Sequence, residues 1–167
     1  MVIVIYIEDI MKNSIKKGLG FGLASGTITT LGLIIGLNSG TGFRSVILGG
    51  ILVIAVADAL SDALGMHISE ESEKNAKVRD VWESTISTFF FKFIVALSFI
   101  IPVLLLNLHI AIIASIIWGF ILLSGFSFYI AKDRGMNPLH AVMEHLVIAV
   151  AVIIATNFVG KFVAIIF

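Results

Sequence analysis

The residues best suited to chemistry in this sequence lie in one apolar stretch, VIAVADALSDALGMHISEESEKN. Asp58, Asp62, Met66 and Glu70 follow one another there at intervals of four residues. Residues four apart lie on the same face of an α-helix, so these side chains form one slanted stripe. Glu73 continues the stripe into a charged segment.

The donor atoms of this stripe indicate which ligand it would take. Carboxylate oxygens suit hard divalent cations, whereas thioether and imidazole groups favour softer transition metals. With His67 included, the oxygen, sulfur and nitrogen donors fit Fe(II) or Mn(II) better than Ca(II), which takes oxygen ligands alone. The predicted metal ligands are Asp58, Asp62, Met66, His67, Glu70 and Glu73. The alternative is that the stripe from Asp62 onward is only the solvated end of a helix.

Other polar side chains are candidates for a transport path. Ser25 and Thr29 supply hydroxyl groups in an otherwise uncharged apolar stretch, and Glu144 and His145 lie in the segment HAVMEH. Histidine titrates near neutral pH and can carry a proton; the alternative for Glu144 is an interfacial ion pair with a nearby base. His140 and His145 are five residues apart, so they do not chelate one ion from a single helix as a zinc protease motif does. The sequence predicts neither an enzyme nor a bound cofactor.

The composition requires lipid as the solvent for most of the chain. Of its 167 residues, 59% are hydrophobic and 13% are charged, against about 25% charged in soluble domains. The mean hydropathy is +1.10. A charge inside a membrane span costs about 2.5–3.5 kcal/mol, so Asp58 and Asp62 must line a wet cavity, pair with a cation, or both. The formal net charge of zero argues against nucleic-acid binding, and the absence of cysteine excludes disulfides and thiolate metal sites.

A membrane-spanning helix needs about 20 mostly apolar residues. Five stretches satisfy this length: Leu19–Leu37, Val46–Met66, Ser87–Leu106, Ile110–Ile130 and Leu139–Phe162. We therefore predict an all-α membrane domain over residues 19–167. Residues 1–18 have apolar side chains at helical spacing opposite charged ones, which is typical of an amphipathic helix in the membrane interface.

The distribution of lysine and arginine near the span ends predicts the orientation. One side carries Lys12, Lys16, Lys17, Lys74, Lys77, Arg79, Lys132 and Arg134; the other carries Arg44 and Lys161. We therefore expect a cytoplasmic N-terminus and a C-terminus on the opposite side of the membrane.

Two rows of glycine in the first span predict close helix packing. Gly18, Gly22 and Gly26 form one row, and a second follows at positions 32, 36 and 40. Such rows let helix backbones approach each other. Packing inside one chain and packing between two copies are equally compatible with the pattern.

Three segments of the chain resemble the vacuolar iron transporter family, which includes yeast vacuolar and plant nodulin-like members. SGTITTLGLIIGL is similar to the first span of that family, DALGMHISEES to its second-span signature, and NPLHAVMEHLVIAVAVIIATNFVGKFV to its fifth span. In this comparison Met66 and Glu70 match the signature methionine and glutamate. Ser25 stands where the family has an aspartate, and Asp58 and Asp62 are the candidates to replace that carboxylate. The long cytoplasmic metal-binding domain of the plant members does not fit between Glu70 and Ser87.

The resemblance implies a homodimer that exchanges divalent iron or manganese for protons along a path between its subunits. Together with the acidic stripe, it leads us to expect a five-span transporter of divalent transition metals, with the metal as substrate. Two alternatives stay open: a membrane interaction or scaffold protein that uses its glycine rows, and a carrier of a small organic cation.

Overall fold

The computed structural model describes residues 13–167, and all secondary structure in that part of the chain is helical. The elements are α1 (Asn13–Thr41), α2 (Arg44–Glu71), α3 (Val78–Ser98), α4 (Ile100–Leu105), α5 (Leu108–Asp133) and α6 (Pro138–Ile166). The part of the predicted amphipathic helix that covers residues 1–12 lies outside the described residues. Asn13–Gly18, assigned to the same interfacial helix from the sequence, form the first turns of α1.

Five helical segments are long and apolar enough to cross a membrane: α1, α2, the α3–α4 unit, α5 and α6. This confirms the all-α class predicted from the sequence, and the five candidate spans are consistent with the predicted multi-pass membrane protein. Each helical segment extends beyond its predicted span at one end or both, because the polar residues that flank the apolar spans are also helical. Large apolar side chains are exposed along the helices that follow α1, as expected where lipid replaces water as the solvent.

Proline and glycine set the boundaries between several helices. Pro102 lacks an amide hydrogen and its ring crowds the carbonyl group four residues earlier, at Ser98, where α3 ends. Gly42 and Gly135 adopt φ values of +65° and +66° directly after α1 and at the end of α5. Pro138 begins α6, and the Asn137 side chain accepts hydrogen bonds from the amides of Leu139 and His140. Glycine just past a helix end and proline at a helix start are the positions these residues favour, so the sequence itself marks this boundary between α5 and α6.

Helix α1 is the centre of the bundle and contacts α2, α3, α5 and α6. The main buried cluster of apolar side chains joins α1 to α2, α3 and α4, and partly buried side chains of α5 pack against it. Its members are Leu31, Ile34, Ile47, Ile51, Val95, Phe99 and Val103. These residues lie in the half of the bundle away from Lys16 and Lys17, so the polar groups described next are concentrated in the middle and at the other end.

Both glycine rows are engaged inside the chain. A methyl group on Gly22 would lie 2.7 Å from the carbonyl oxygen of Thr88 in α3. One on Gly32 would lie 3.0 Å from Val152, and one on Gly40 would lie 3.3 Å from the carbonyl oxygen of Gly160, both in α6. Of the two possibilities left open by the sequence, packing within one chain is the one that accounts for these rows.

Candidate functional site

A charged cluster occupies the centre of the bundle, where α1, α2 and α3 meet. Asp58 lies about 20 Å from each end of α2, and Lys92 lies about 20 Å from each end of the α3–α4 unit, at about 1.5 Å rise per residue. Ser25 lies near the middle of α1. These positions are in the middle of three candidate membrane spans, and an ionisable side chain inside a membrane span is costly and is by default a candidate functional residue.

Lys92 is the cation that pairs with the two aspartates. Its Nζ atom lies 2.6 Å from Asp58 Oδ2 and also forms an ion pair and hydrogen bond with Asp62 Oδ2. The contact with Asp58 has the distance of an ion pair but lacks the directional geometry of a hydrogen bond. The lysine side chain is 1% exposed, so solvent does not reach its ammonium group and the carboxylates are its polar partners.

Ser25 connects α1 to the ion pairs. Its hydroxyl group donates to Asp62 Oδ2 at 2.6 Å and accepts a hydrogen bond from Lys92 Nζ at 3.0 Å. The glycine at position 26 gives the lysine room beside α1, because a methyl group there would lie 3.2 Å from Lys92 Cγ. Glycine packing and charge pairing therefore depend on the same contact between α1 and α3.

The cluster carries one formal negative charge in excess, since two carboxylates face one ammonium group. Asp58 and Asp62 retain 31% and 20% exposure of their side chains, whereas Lys92 is buried. The carboxylates therefore have an open edge at the depth of the bilayer centre. An open, anionic edge at that depth is suited to receiving a cation.

The lower part of the predicted stripe forms a second, separate group. Lys17 donates to both carboxylate oxygens of Glu70, at 2.9 and 3.1 Å, and to Glu73 at 3.3 Å. Met66 is half-buried and lines a cavity that also includes Glu70. His67 faces α3 instead, where Nδ1 lies 3.1 Å from the hydroxyl oxygen of Thr85. The stripe is thus continuous along α2, but its donors are divided among three environments.

The remaining candidate path residues lie elsewhere or bond locally. The Thr29 hydroxyl donates to the carbonyl oxygen of Ser25, within α1. His145 Nδ1 lies 2.6 Å from the hydroxyl oxygen of Ser127 in α5. Glu144 is exposed on α6, which packs against α1 and α5, and it forms no ion pair within residues 13–167. The structure does not bring Glu144 or His145 into the charged cluster.

Sequence reasoning missed Lys92, although a signal was present. The segment TFFFKFIVAL has a single lysine inside an apolar span, flanked by phenylalanine on both sides. The insertion cost that identified Asp58 applies equally to a lysine at that depth. A lysine and an aspartate at matching depths in neighbouring spans predict an ion pair.

The predicted metal ligands do not form a complete site within one chain. Across residues 13–167, no group of three or more histidine, aspartate or glutamate side chains is placed to hold a metal ion. Asp58, Asp62 and Ser25 supply oxygen donors on one side only.

Comparison with protein-family models, curated proteins and solved structures gave no match, so the resemblance to the vacuolar iron transporter family rests on the three sequence segments alone.

Proposed function

We propose that this protein transports divalent transition-metal cations, iron or manganese, across a membrane. The observation that carries the proposal is the cluster of Asp58, Asp62 and Lys92 at the centre of the bundle. Charged groups at that depth are costly and are retained where ions or protons move. Lys92 acts in this proposal as a tethered cation that occupies the carboxylates until the transported ion replaces it.

The incomplete ligand set supports transport by a homodimer. A divalent transition metal in an oxygen-rich site takes about six ligands, more than Asp58, Asp62 and Ser25 supply. A second copy facing the open edge of Asp58 and Asp62 would double the donors in a closed two-fold arrangement. Because the glycine rows are used inside the chain, the proposed interface uses the exposed face of α2, which includes Ala57 and Ser61. The family resemblance implies that the metal is exchanged for protons, and we include this exchange in the proposal.

Uptake of Mn(II) into proteoliposomes tests this function. Asp58→Asn and Asp62→Asn each leave one carboxylate to pair with Lys92, so both variants should fold while losing the negative charge that attracts the metal. We expect each to lower uptake at least about tenfold, because mutation of a group that only supports a metal ligand already costs about 10–100-fold in metal affinity. Glu71→Gln is the matched control, because Glu71 is exposed at the end of α2. Normal uptake by both aspartate variants would refute the proposal.

A second candidate is a carrier of a small organic cation. The observation that favours it is that the two aspartates and Ser25 already hold a primary ammonium group, that of Lys92. The same proteoliposomes distinguish the candidates: a diamine carrier takes up a labelled primary diamine and is indifferent to Mn(II). Uptake of neither cation, with intact assembly of the Asp58→Asn variant, would favour a scaffold role.

A further inference from the structure

A large cavity lies between α1, α2 and α5 at the end of the bundle where lysine and arginine are concentrated. Its volume is about 740 Å³, and Lys16, Lys17 and Arg134 contribute to its lining. Its lining includes Phe21 and Met66, which lie one helical turn from Ser25 and Asp62, but neither Ser25 nor Asp62 lines it. The cavity is therefore separate from the charged cluster.

The walls of the cavity change from charged to apolar over one helical turn. In α1, Lys17 is followed by Phe21; in α2, Glu70 is preceded by Met66; in α5, Arg134 is preceded by Ile130. Each step is four residues, or about 6 Å along the helix axis. Three helices thus share the same order, with charges toward the helix ends and apolar side chains toward the membrane interior.

The charges at the rim leave donors for an anion. Lys17 is occupied by Glu70 and Glu73. Lys16 lies 3.6 Å from Asp133 without forming a hydrogen bond to it, and Arg134 has no acidic partner in the described part of the chain. Glu70 and Glu73 both pair with Lys17, so the donors left for an anion at the rim are those of Lys16 and Arg134.

We propose that this cavity binds the headgroup and upper acyl chains of an anionic phospholipid. The phosphate would take the free donors of Lys16 and Arg134, and the acyl chains would lie against Phe21, Phe126 and Ile130. Basic pockets between spans bind anionic lipid headgroups by this chemistry. A soluble phosphate would contact the charged rim but leave the apolar wall of the cavity uncovered. The change from charged to apolar lining along the helix axes therefore favours a lipid. The proposal does not depend on what the central cluster carries.

Native mass spectrometry of the whole protein in mild detergent tests the site, with dioleoyl phosphatidylglycerol and dioleoyl phosphatidylcholine as probes. The wild type should retain the anionic lipid in preference to the zwitterionic one. Lys16→Gln and Arg134→Gln should each weaken retention of the anionic lipid about fivefold, the effect of one cation near a membrane surface. Lys132→Gln is the control, because Lys132 is exposed at the same end but does not line the cavity.

Three outcomes would overturn the proposal. Equal retention of the two lipids would show that the cavity does not recognise the phosphate charge. Equal losses in Lys132→Gln and Arg134→Gln would mean that general surface charge attracts the lipid. If inorganic phosphate at millimolar concentration displaces the lipid while Ile130→Ser leaves lipid retention unchanged, that result would show that the rim binds a soluble anion. All four variants change side chains near the helix ends, and a thermal melt of each checks that folding is unchanged.

Discussion

Lys92 Nζ lies 2.6 Å from Asp58 Oδ2, across the contact between α3 and α2 at the middle of both spans. Neither residue is stable alone at that depth, because each would be an uncompensated charge in a low-dielectric environment. Together with Asp62 and Ser25 they fix the relative depth of three helices. Three predictions rest on this arrangement and the packing around it, and a fourth rests on the distribution of lysine and arginine.

Lys92→Met should destabilise the protein strongly. The substitution leaves Asp58 and Asp62 facing each other without a cation, and breaking a buried pair in this way costs about 3–5 kcal/mol. Thermal unfolding in detergent measures the loss. Adding Asp58→Asn and Asp62→Asn to the same chain removes the unpaired charges and should restore most of the stability.

Lys161→Met is the control for that experiment, because Lys161 is exposed near the end of α6. It should change the melting temperature little, as expected for an exposed charge. A Lys92→Met protein as stable as this control would show that the ion pairs contribute nothing to folding.

Ser25→Ala should weaken transport without unfolding the protein. The hydroxyl group of Ser25 donates to Asp62 at 2.6 Å, and a hydrogen bond to a charged group is worth about 1.5–3 kcal/mol. We expect the Mn(II) concentration for half-maximal uptake to rise about tenfold. Thr29→Val is the matched control, since the Thr29 hydroxyl bonds only to the backbone of its own helix. An identical response of the two variants would contradict a role for Ser25 in the site.

Gly22→Ala should destabilise the contact between α1 and α3. The added methyl group would lie 2.7 Å from a backbone oxygen of Thr88, which does not move as a flexible side chain would. Overpacking of this kind costs about 1–3 kcal/mol, measured as a lower melting temperature. Gly125→Ala is the control, because nothing lies within 4 Å of a methyl group there and alanine favours helix more than glycine does. Equal stability of the two variants would indicate that the first glycine row packs against a second copy of the chain instead.

Labelling of single introduced cysteines should reveal the predicted orientation. The chain has no cysteine of its own, so the background is absent. Asn75→Cys and Met136→Cys should react only from the cytoplasmic side, and Asn107→Cys only from the opposite side, because lysine and arginine concentrate near the first two. Exclusive labelling of position 75 from outside the cell would reverse the orientation.

The sequence alone determined the features that depend on local chemistry. Runs of apolar residues long enough to cross a bilayer defined five spans, and Gly135 and Pro138 defined a boundary, because backbone preferences act within a few residues. The spacing of Asp58 and Asp62 also placed both on one helix face, since helical geometry is local. The free-energy cost of a charge inside a membrane span predicted that these aspartates line a wet cavity or pair with a cation, and they pair with Lys92.

Only the tertiary structure decided which cation pairs with them and what the glycine rows contact. The partner, Lys92, is 30 residues from Asp62 along the chain, and pairing across that separation depends on which helices pack together and at what depth. The glycine pattern fits any close helix neighbour, so its assignment to α3 and α6 required the packed bundle. For the same reason Glu144 and His145, which have suitable chemistry, are separated from the cluster: α6 packs on α1 and α5, and residue type contains no information about that choice.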